Sequence, residues 1–264
     1  MYTGHLELPP PTPLEDIPHL WEQNDILIFL INLDNYNVLA DDVLKTNNIL
    51  TDNILTDNIL TNNILTDHLD MAEKEHLESL KTSYFKKRYI VSRIVLKCVL
   101  KYVLKDSPGC ILKDQCLSDI GTYNDEYGKV HIRTHKELHI CISYTGNIVS
   151  LAISKVEVGI DIELKKSISP GKVLKYLQTP ALKAEDFGNE LDFLTAWTLK
   201  EAYCKFSNKS MLTSLNKELD LGSVFHSSYI LNNKYILSVI TDANPHALNI
   251  SCLSKIGFHR PAEV

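Results

Sequence analysis

Residues 156–166 read VEVGIDIELKK, and their alternation constrains the fold more than any other stretch of the chain. Side chains on a β-strand point to opposite faces in turn, so Val158, Ile160, Ile162 and Leu164 share one face, while Gly159, Asp161 and Glu163 share the other. A strand with so apolar a back belongs in a core. Its front nevertheless carries two carboxylates side by side, so that front must be either solvated or matched by something that accepts negative charge.

Other elements are legible around it. The segment DILIFLINLD (25–34) reads as a strand, rich in Ile and Leu and closed by Asp-Asn. LHICISY and IVSLAIS flank Thr145-Gly146-Asn147, which makes them a hairpin leading into the acidic strand. From Glu73 to Leu104, Tyr84, Tyr89, Ile90, Ile94, Cys98 and Val99 recur at helical spacing, with DSPGC (106–110) as the stop. Residues 190–206 form a second helix, and KYILSVIT (234–241) a further strand. IGTYNDEYGKV is rich in turn residues, and the Pro-rich stretch 1–24 reads as extended. Helices and strands segregate, which points to an α+β fold. A new strand-and-helix set begins near 155, so 1–155 and 156–264 are read as two units.

The five-residue repeat TNNIL-TDNIL-TDNIL-TNNIL-TDHLD occupies residues 46–70. Five residues advance a helix by about 140°, so its Ile-Leu pairs spiral rather than form a stripe. On a strand successive pairs alternate faces. It reads as an inserted tandem repeat, partly helical or mobile.

The net charge of −6 argues against a general nucleic-acid binder, although a local lysine cluster would still serve an anionic small ligand. The six cysteines show no C-x-x-C spacing, and the N-terminus has no basic start followed by an apolar run. ILIFLI is far too short to span a bilayer. The expectation is a cytoplasmic protein with reduced thiols, with neither nucleic acid nor membrane as partner.

In the helix 190–206, Glu201 and Lys205 stand at i and i+4, about 40° apart on the wheel. If Asp161, Glu163 and Glu201 converge on one point they repel, and a hard divalent cation resolves the repulsion. Mg²⁺ takes oxygen ligands, few of them from protein, and completes its shell with water and phosphate oxygens. Lys205 then lies one turn beyond, placed for a phosphate of the same ligand. The implied ligand is a metal-bound diphosphate. The plainer alternative keeps Asp161 and Glu163 on an exposed sheet face and pairs Glu201 with Lys205 at the surface.

VGIDIE, followed after 33 residues by WTLKEAYCK, resembles the two-part signature of the 4′-phosphopantetheinyl transferases, in particular the two-lobed surfactin-type group. YGKV (127–130), ICISYTGNIVSLAIS and SYFKKRYIVSRIVLKCVL resemble further parts of that family, so the likeness covers about residues 69–240 and bypasses the repeat. The resemblance implies two similar α+β lobes related by a pseudo-twofold, a coenzyme A cleft between them, and a monomer. It implies transfer of 4′-phosphopantetheine from coenzyme A to a serine of an acyl or peptidyl carrier protein, releasing 3′,5′-ADP. The alternative is a degenerate, non-catalytic paralogue that binds coenzyme A or a carrier. By the same resemblance Asp161, Glu163 and Glu201 would hold Mg²⁺, or Mn²⁺ in its place, with Glu201 or Asp161 taking the serine proton. Lys205 and Lys129 would hold the diphosphate, Ser143 would contribute a hydroxyl, and Lys209 is retained.

Several positions depart from the family pattern. Tyr144 stands for the usual His and Val130 for Pro, and Asn208 and Ser210 flank Lys209 in place of glycines. Pro180 and Ala181 fall where an acid is common, with Glu185 a weak substitute. On the basic helix a solvated face is the plainer reading, and Arg88 is the best candidate for the 3′-phosphate of the nucleotide, ahead of Lys74 and His76. His131, His135 and His139 are spaced for zinc only on a helix, and the segment leads directly into a strand. Trp197 is expected in the core.

Overall fold

The computed structural model describes residues 3–36, 66–104, 116–165, 190–210, 221–254 and 256. Most of the pentapeptide repeat, the Ser-Pro-Gly stop and the region of Glu185 lie outside the described residues.

The chain is mixed α+β. Ten strands are described: β1 (Thr3–Leu6), β2 (Ile26–Asn32), β3 (Thr122–Asn124), β4 (Val130–Ile132), β5 (His139–Thr145), β6 (Ile148–Ser154), β7 (Val158–Leu164), β8 (Phe225–Leu231), β9 (Tyr235–Thr241) and β10 (Leu248–Cys252). The described α-helices are α1 (Ile17–Gln23), α2 (Met71–Ser79), α3 (Ser83–Val103) and α4 (Glu190–Phe206). One sheet runs β1-β8-β9-β7, a second β10-β2-β6-β5, and β3-β4 form a small hairpin. The same local plan is used twice: a strand, a helix, then a hairpin whose second strand pairs with the first. β2, α3 and β5-β6 follow it, as do β7, α4 and β8-β9. Each sheet also takes an outer strand from the far end of the chain. β1 runs parallel to β8, and β10 parallel to β2.

The stretch expected to be extended at 1–24 holds the short helix α1, opened by Pro18 in its first turn, where proline's missing N–H has no helical partner to lose. The single helix expected over 73–104 is two, broken around Leu80–Thr82. A capping box starts α2, in which Asp70 Oδ1 accepts from the Glu73 N–H and Glu73 Oε2 from the Asp70 N–H, each at 2.9 Å. Thr82 caps α3, its hydroxyl accepting from Phe85 N–H at 3.3 Å. Local capping thus outweighs the continuous apolar periodicity.

The layers follow from strand alternation. On β2, Leu27, Phe29 and Ile31 pack with Ile90, Ile94 and Val95 of α3. Ile26, Ile28 and Leu30 face the other way and pack with Val158, Ile160 and Ile162 of β7 and with Leu237 and Val239 of β9. The two large sheets therefore share a core, α3 covers one outer face, and α4 covers the other through Leu199 and Ala202 against Ile240 and Phe193 and Leu194 against Ile236. Under α3 lies a buried ion pair: Lys97, 0% exposed, donates to Glu73 Oε2 at 2.5 Å and to His68 O at 3.0 Å, while Thr122 donates to Glu73 Oε1.

The apolar back of β7 lies in the shared core, as its alternation required. Its front is covered by α4, so the exposed-sheet alternative does not hold. That approach needs glycine at 159. A Cβ there would lie 2.2 Å from the Ala202 carbonyl oxygen and 2.6 Å from Phe206 Cβ. Gly159→Ala is expected to cost about 1–3 kcal/mol by forcing strand and helix apart, read as a lower denaturant midpoint at unchanged slope. Lys97→Met is expected to cost about 3–5 kcal/mol, because it leaves the Glu73 carboxylate buried without its cation; the Lys97→Met/Glu73→Leu double variant should recover much of that loss.

Candidate functional site

The site forms where the two sheets meet, along β5 and β7. No backbone ladder joins these strands. Instead, alternate side chains of β5 serve the backbone of β7. Ile160 N–H donates to Cys141 Sγ at 3.3 Å, Ile162 N–H to Ser143 Oγ at 3.3 Å, and Leu164 N–H to Thr145 Oγ1 at 3.0 Å. The Cys141 thiol donates back to the Ile160 carbonyl at 3.7 Å. The hydroxyls use their own protons on the acids beside them. Ser143 donates to Asp161 Oδ1 at 2.7 Å and Thr145 to Glu163 Oε2 at 3.0 Å. One row of side chains therefore stitches the sheets together and orients both carboxylates of the strand.

Helix α4 brings Glu201 to the same place. Asp161, Glu163 and Glu201 each offer a carboxylate oxygen, and these lie within 4.8 Å of one another. Asp161 is 2% exposed, and its Oδ2 is buried without a hydrogen-bond partner. Its Oδ1 accepts from Lys205 Nζ at 2.7 Å, and Lys205 also donates to Ser143 at 2.8 Å. Lys205 is thus paired with the strand acid rather than with Glu201. Burial, followed by the Asp161 charge, pushes the Glu201 carboxyl up to about 9, against an opposing pull from Lys205. Burial and Asp161 likewise raise Glu163. Burial alone would lower Lys205, but Asp161 prevails and raises it. An orphaned buried oxygen among converging hard donors fits a divalent cation such as Mg²⁺ or Mn²⁺.

A cleft of about 810 Å³ opens next to the acids, and Lys205 is on its wall. Arg88, Lys129 and Lys209 line the same cleft, so four of the predicted ligand-binding cations are brought together. Arg88 lies over the Tyr144 ring at 4.1 Å from its centroid, and the Tyr144 hydroxyl donates to Ser92 at 3.0 Å. The tyrosine found in place of histidine is thus a shelf for the guanidinium. Lys129 is ion-paired with Glu157, which also holds His139 Nδ1 at 2.8 Å. Ser143 is 2% exposed and sits at the seam, away from the cleft wall.

Lys209 owes its place to Asn208. At the end of α4 Asn208 adopts the left-handed conformation (φ 49°), its N–H donating to Lys205 O at 3.4 Å and the Lys209 N–H to Cys204 O at 3.1 Å. This is the helix-ending motif that glycine usually supplies, and asparagine is the residue that best replaces glycine there. The Asn208 side chain also donates to Asp125 Oδ2 at 2.8 Å. The three histidines do not share a helix face. His131 pairs with Asp125 and His135 with Glu137, each at 3.0 Å, and His139 with Glu157. Trp197 is half-buried against the Phe193–Leu194–Ile236 cluster.

Sequence reasoning missed Thr145, the structural need for Gly159, the Glu157 partner of Lys129, and Arg93. The seam had a signal that could have been read: Cys141, Ser143 and Thr145 are small polarisable or hydroxyl residues at alternate positions of an otherwise apolar strand.

The raised carboxyls have a consequence for stability. An acid whose folded value exceeds its ordinary value near 4.5 loses stability as pH rises, because the unfolded chain ionises first. The metal-free protein is expected to melt progressively lower between about pH 5 and 9. Added Mg²⁺ should raise the melting temperature most at the upper end, and Glu201→Gln should flatten both responses, as read by differential scanning calorimetry.

No family model matches the chain. Over 103 residues it is 32% identical to 4′-phosphopantetheinyl transferase Sfp of Bacillus subtilis (strain 168), a match covering 38% of this chain and 46% of that protein. The chain thus spans just under half the length of this curated relative. Among the described residues, no helix is long and apolar enough to cross a membrane. In its paired motifs and in this match, the chain is similar to the 4′-phosphopantetheinyl transferase superfamily.

Proposed function

We propose that the protein is a Mg²⁺-dependent 4′-phosphopantetheinyl transferase that loads a serine of an acyl or peptidyl carrier protein from coenzyme A. The observation that carries this reading is the position of Lys205. It is bonded to Asp161 of the acid cluster and also lines the cationic cleft, so a diphosphate in the cleft would lie against the metal-binding acids. The similarity to Sfp supports the reaction class, and the strand–helix–hairpin plan used twice supports two related lobes, 1–155 and 156–264, with the cleft between them. We take the protein to act as a cytoplasmic monomer.

In this reading Asp161, Glu163 and Glu201 hold the cation, which when bound neutralises charge on the diphosphate and acts as a Lewis acid. Lys205 and Lys129 hold diphosphate oxygens. Lys129 must then share its ammonium with Glu157 or leave it. Arg88 and Lys209, which line the same cleft, anchor the nucleotide. Apart from Lys129, these cations are positioned before the ligand arrives, so little reorganisation is needed as charge builds on the oxygens in flight. The carrier serine attacks the β-phosphorus, the bond from that phosphorus to the bridging oxygen breaks, and 3′,5′-ADP leaves with the electron pair. The serine proton passes to Glu201. Asp161 is the less suited acceptor, because its Oδ1 already takes bonds from Ser143 and Lys205.

Incubation of the protein with an apo carrier protein, coenzyme A and Mg²⁺ is expected to add about 340 Da to the carrier, the increment of phosphoryl transfer with the pantetheine arm attached. Asp161→Ala and Glu201→Ala should abolish the increment. Lys205→Ala should weaken coenzyme A binding about tenfold or more. Metal-dependent transfer retained in Asp161→Ala would overturn the assignment. Tight coenzyme A binding with no increment across a panel of carriers would favour the non-catalytic paralogue.

A further inference from the structure

Glu157 enters the reading above only as an obstacle. It stands one residue before β7, in the link from β6, and divides its carboxylate oxygens between two partners: Oε1 takes the Lys129 ammonium, and Oε2 lies 2.8 Å from His139 Nδ1. Lys129 lines the cleft, whereas Glu157 and His139 do not. The carboxylate therefore draws the ammonium back from the cleft that the lysine borders. The Lys129 side chain is 11% exposed, and those of Glu157 and His139 are half-buried.

The backbone under Lys129 is not free to follow a ligand. Asp125 Oδ1 accepts the Lys129 N–H at 2.9 Å, the Lys129 carbonyl accepts from the Asp125 N–H at 3.0 Å, and Gly128 before it holds a left-handed φ of 88°. An anion in the cleft gains the ammonium only when the side chain swings on its own stem, and that swing ends the ion pair with Glu157. A half-buried carboxylate left without its cation is costly. The partner that remains is His139. A carboxylate only accepts, so Nδ1 carries the hydrogen that faces it, and Nε2 is the basic nitrogen of the ring. The charged and titratable groups around this ring are Glu157 from the β6–β7 link, Lys129 from the turn before β4, His131 of β4, itself paired with Asp125, and Asp242 just after β9. Burial first, then Lys129, holds His139 below its ordinary value of 6.5, against an opposing pull from Asp242. Withdrawal of the Lys129 ammonium and the bared Glu157 charge both favour the protonated ring.

We propose that Glu157 is a counter-ion that Lys129 exchanges for the bound anion, and that His139 takes up a proton from solvent at Nε2 as the exchange occurs, so that the site binds its ligand together with a proton. Within the transferase reading, on which the identity of the anion rests, that anion is the diphosphate of coenzyme A. Glu157 and His139 act through Lys129 and are positioning residues.

The test is calorimetric titration of the wild type, Glu157→Gln and His139→Gln with coenzyme A in saturating Mg²⁺, in two buffers of different ionisation heat near pH 6.5, which gives the protons taken up on binding. Protons that titrate on the ligand or at the acids are common to the three proteins and cancel in the comparison. The wild type is expected to take up a fraction of a proton more than His139→Gln. A complex that holds the proton more tightly loses affinity as pH rises, so the wild-type advantage over His139→Gln should shrink between about pH 5.5 and 7.5. Glu157→Gln removes the competitor without changing its shape, and should bind coenzyme A about fivefold more tightly while losing most of the uptake. Equal uptake in the wild type and His139→Gln, or binding by Glu157→Gln that is unchanged or weaker, would overturn the proposal. If the wild type does not bind coenzyme A, the transferase reading fails by itself, and inorganic diphosphate with Mg²⁺ then tests the exchange. Proton uptake with diphosphate that is larger in the wild type than in His139→Gln sustains it, whereas equal uptake, or none in either, overturns it.

Discussion

The seam between β5 and β7 is the constraint around which the structure is organised. Two sheets meet there without a shared backbone ladder, and the N–H groups of β7 would be left buried and unpaired if β5 presented ordinary apolar side chains. Cys141, Ser143 and Thr145 supply the missing acceptors. Because a hydroxyl can accept and donate at once, Ser143 and Thr145 also fix the rotamers of Asp161 and Glu163. The solution to a packing problem is thus also what aims the acids. Side chains held this way need little ordering when a ligand arrives.

Much of the scaffold could be read from the residues because it rests on local rules. The alternation of β7 located both its apolar back and its acidic front, and the i, i+4 spacing of Glu201 and Lys205 put both on the flank of α4 that reaches the strand. Asp161, Glu163 and Glu201 offer carboxylate oxygens within 4.8 Å of one another, a convergence that the sequence reading took as a condition and that charge alone does not supply. What escaped was set by contacts distant along the chain. Nothing local shows that Lys129 meets Glu157 or that Asn208 meets Asp125. The solvated face assumed for the basic helix holds only in part at Lys86 and Lys87, which are half-buried, and not at Arg93, which is buried and bonded to Asn124 of β3. The break before α3 was obscured because apolar periodicity continues across it, and only the capping residues mark it.

The cleft separates its charges by function. Lys205 and Lys129 are each already paired with a carboxylate, which offsets their charge before any ligand is bound. Along α3 the guanidiniums face tyrosine rings, whose π-faces offer a weaker and more easily surrendered partner. Tyr144 belongs to this second arrangement. A histidine there could itself meet an anion, whereas the tyrosine carries Arg88 on its ring and spends its hydroxyl on Ser92. Where the family it resembles has histidine, this chain holds a ring that supports a cation.

The outermost strands carry a different implication. β1, made of residues 3–6, completes the sheet built largely from the second half of the chain, and β10, made of residues 248–252, completes the other. While the polypeptide is being synthesised, the sheet that contains β2 lacks its outer strand until residues 248–252 have emerged, and the segment bearing β1 must wait for β8. Pairings across such separations carry a large entropy of closure before they return any contact. Assembly should therefore finish late and all at once, with both edges sealed in the same closing event and a half-made chain exposing two unguarded borders to its neighbours.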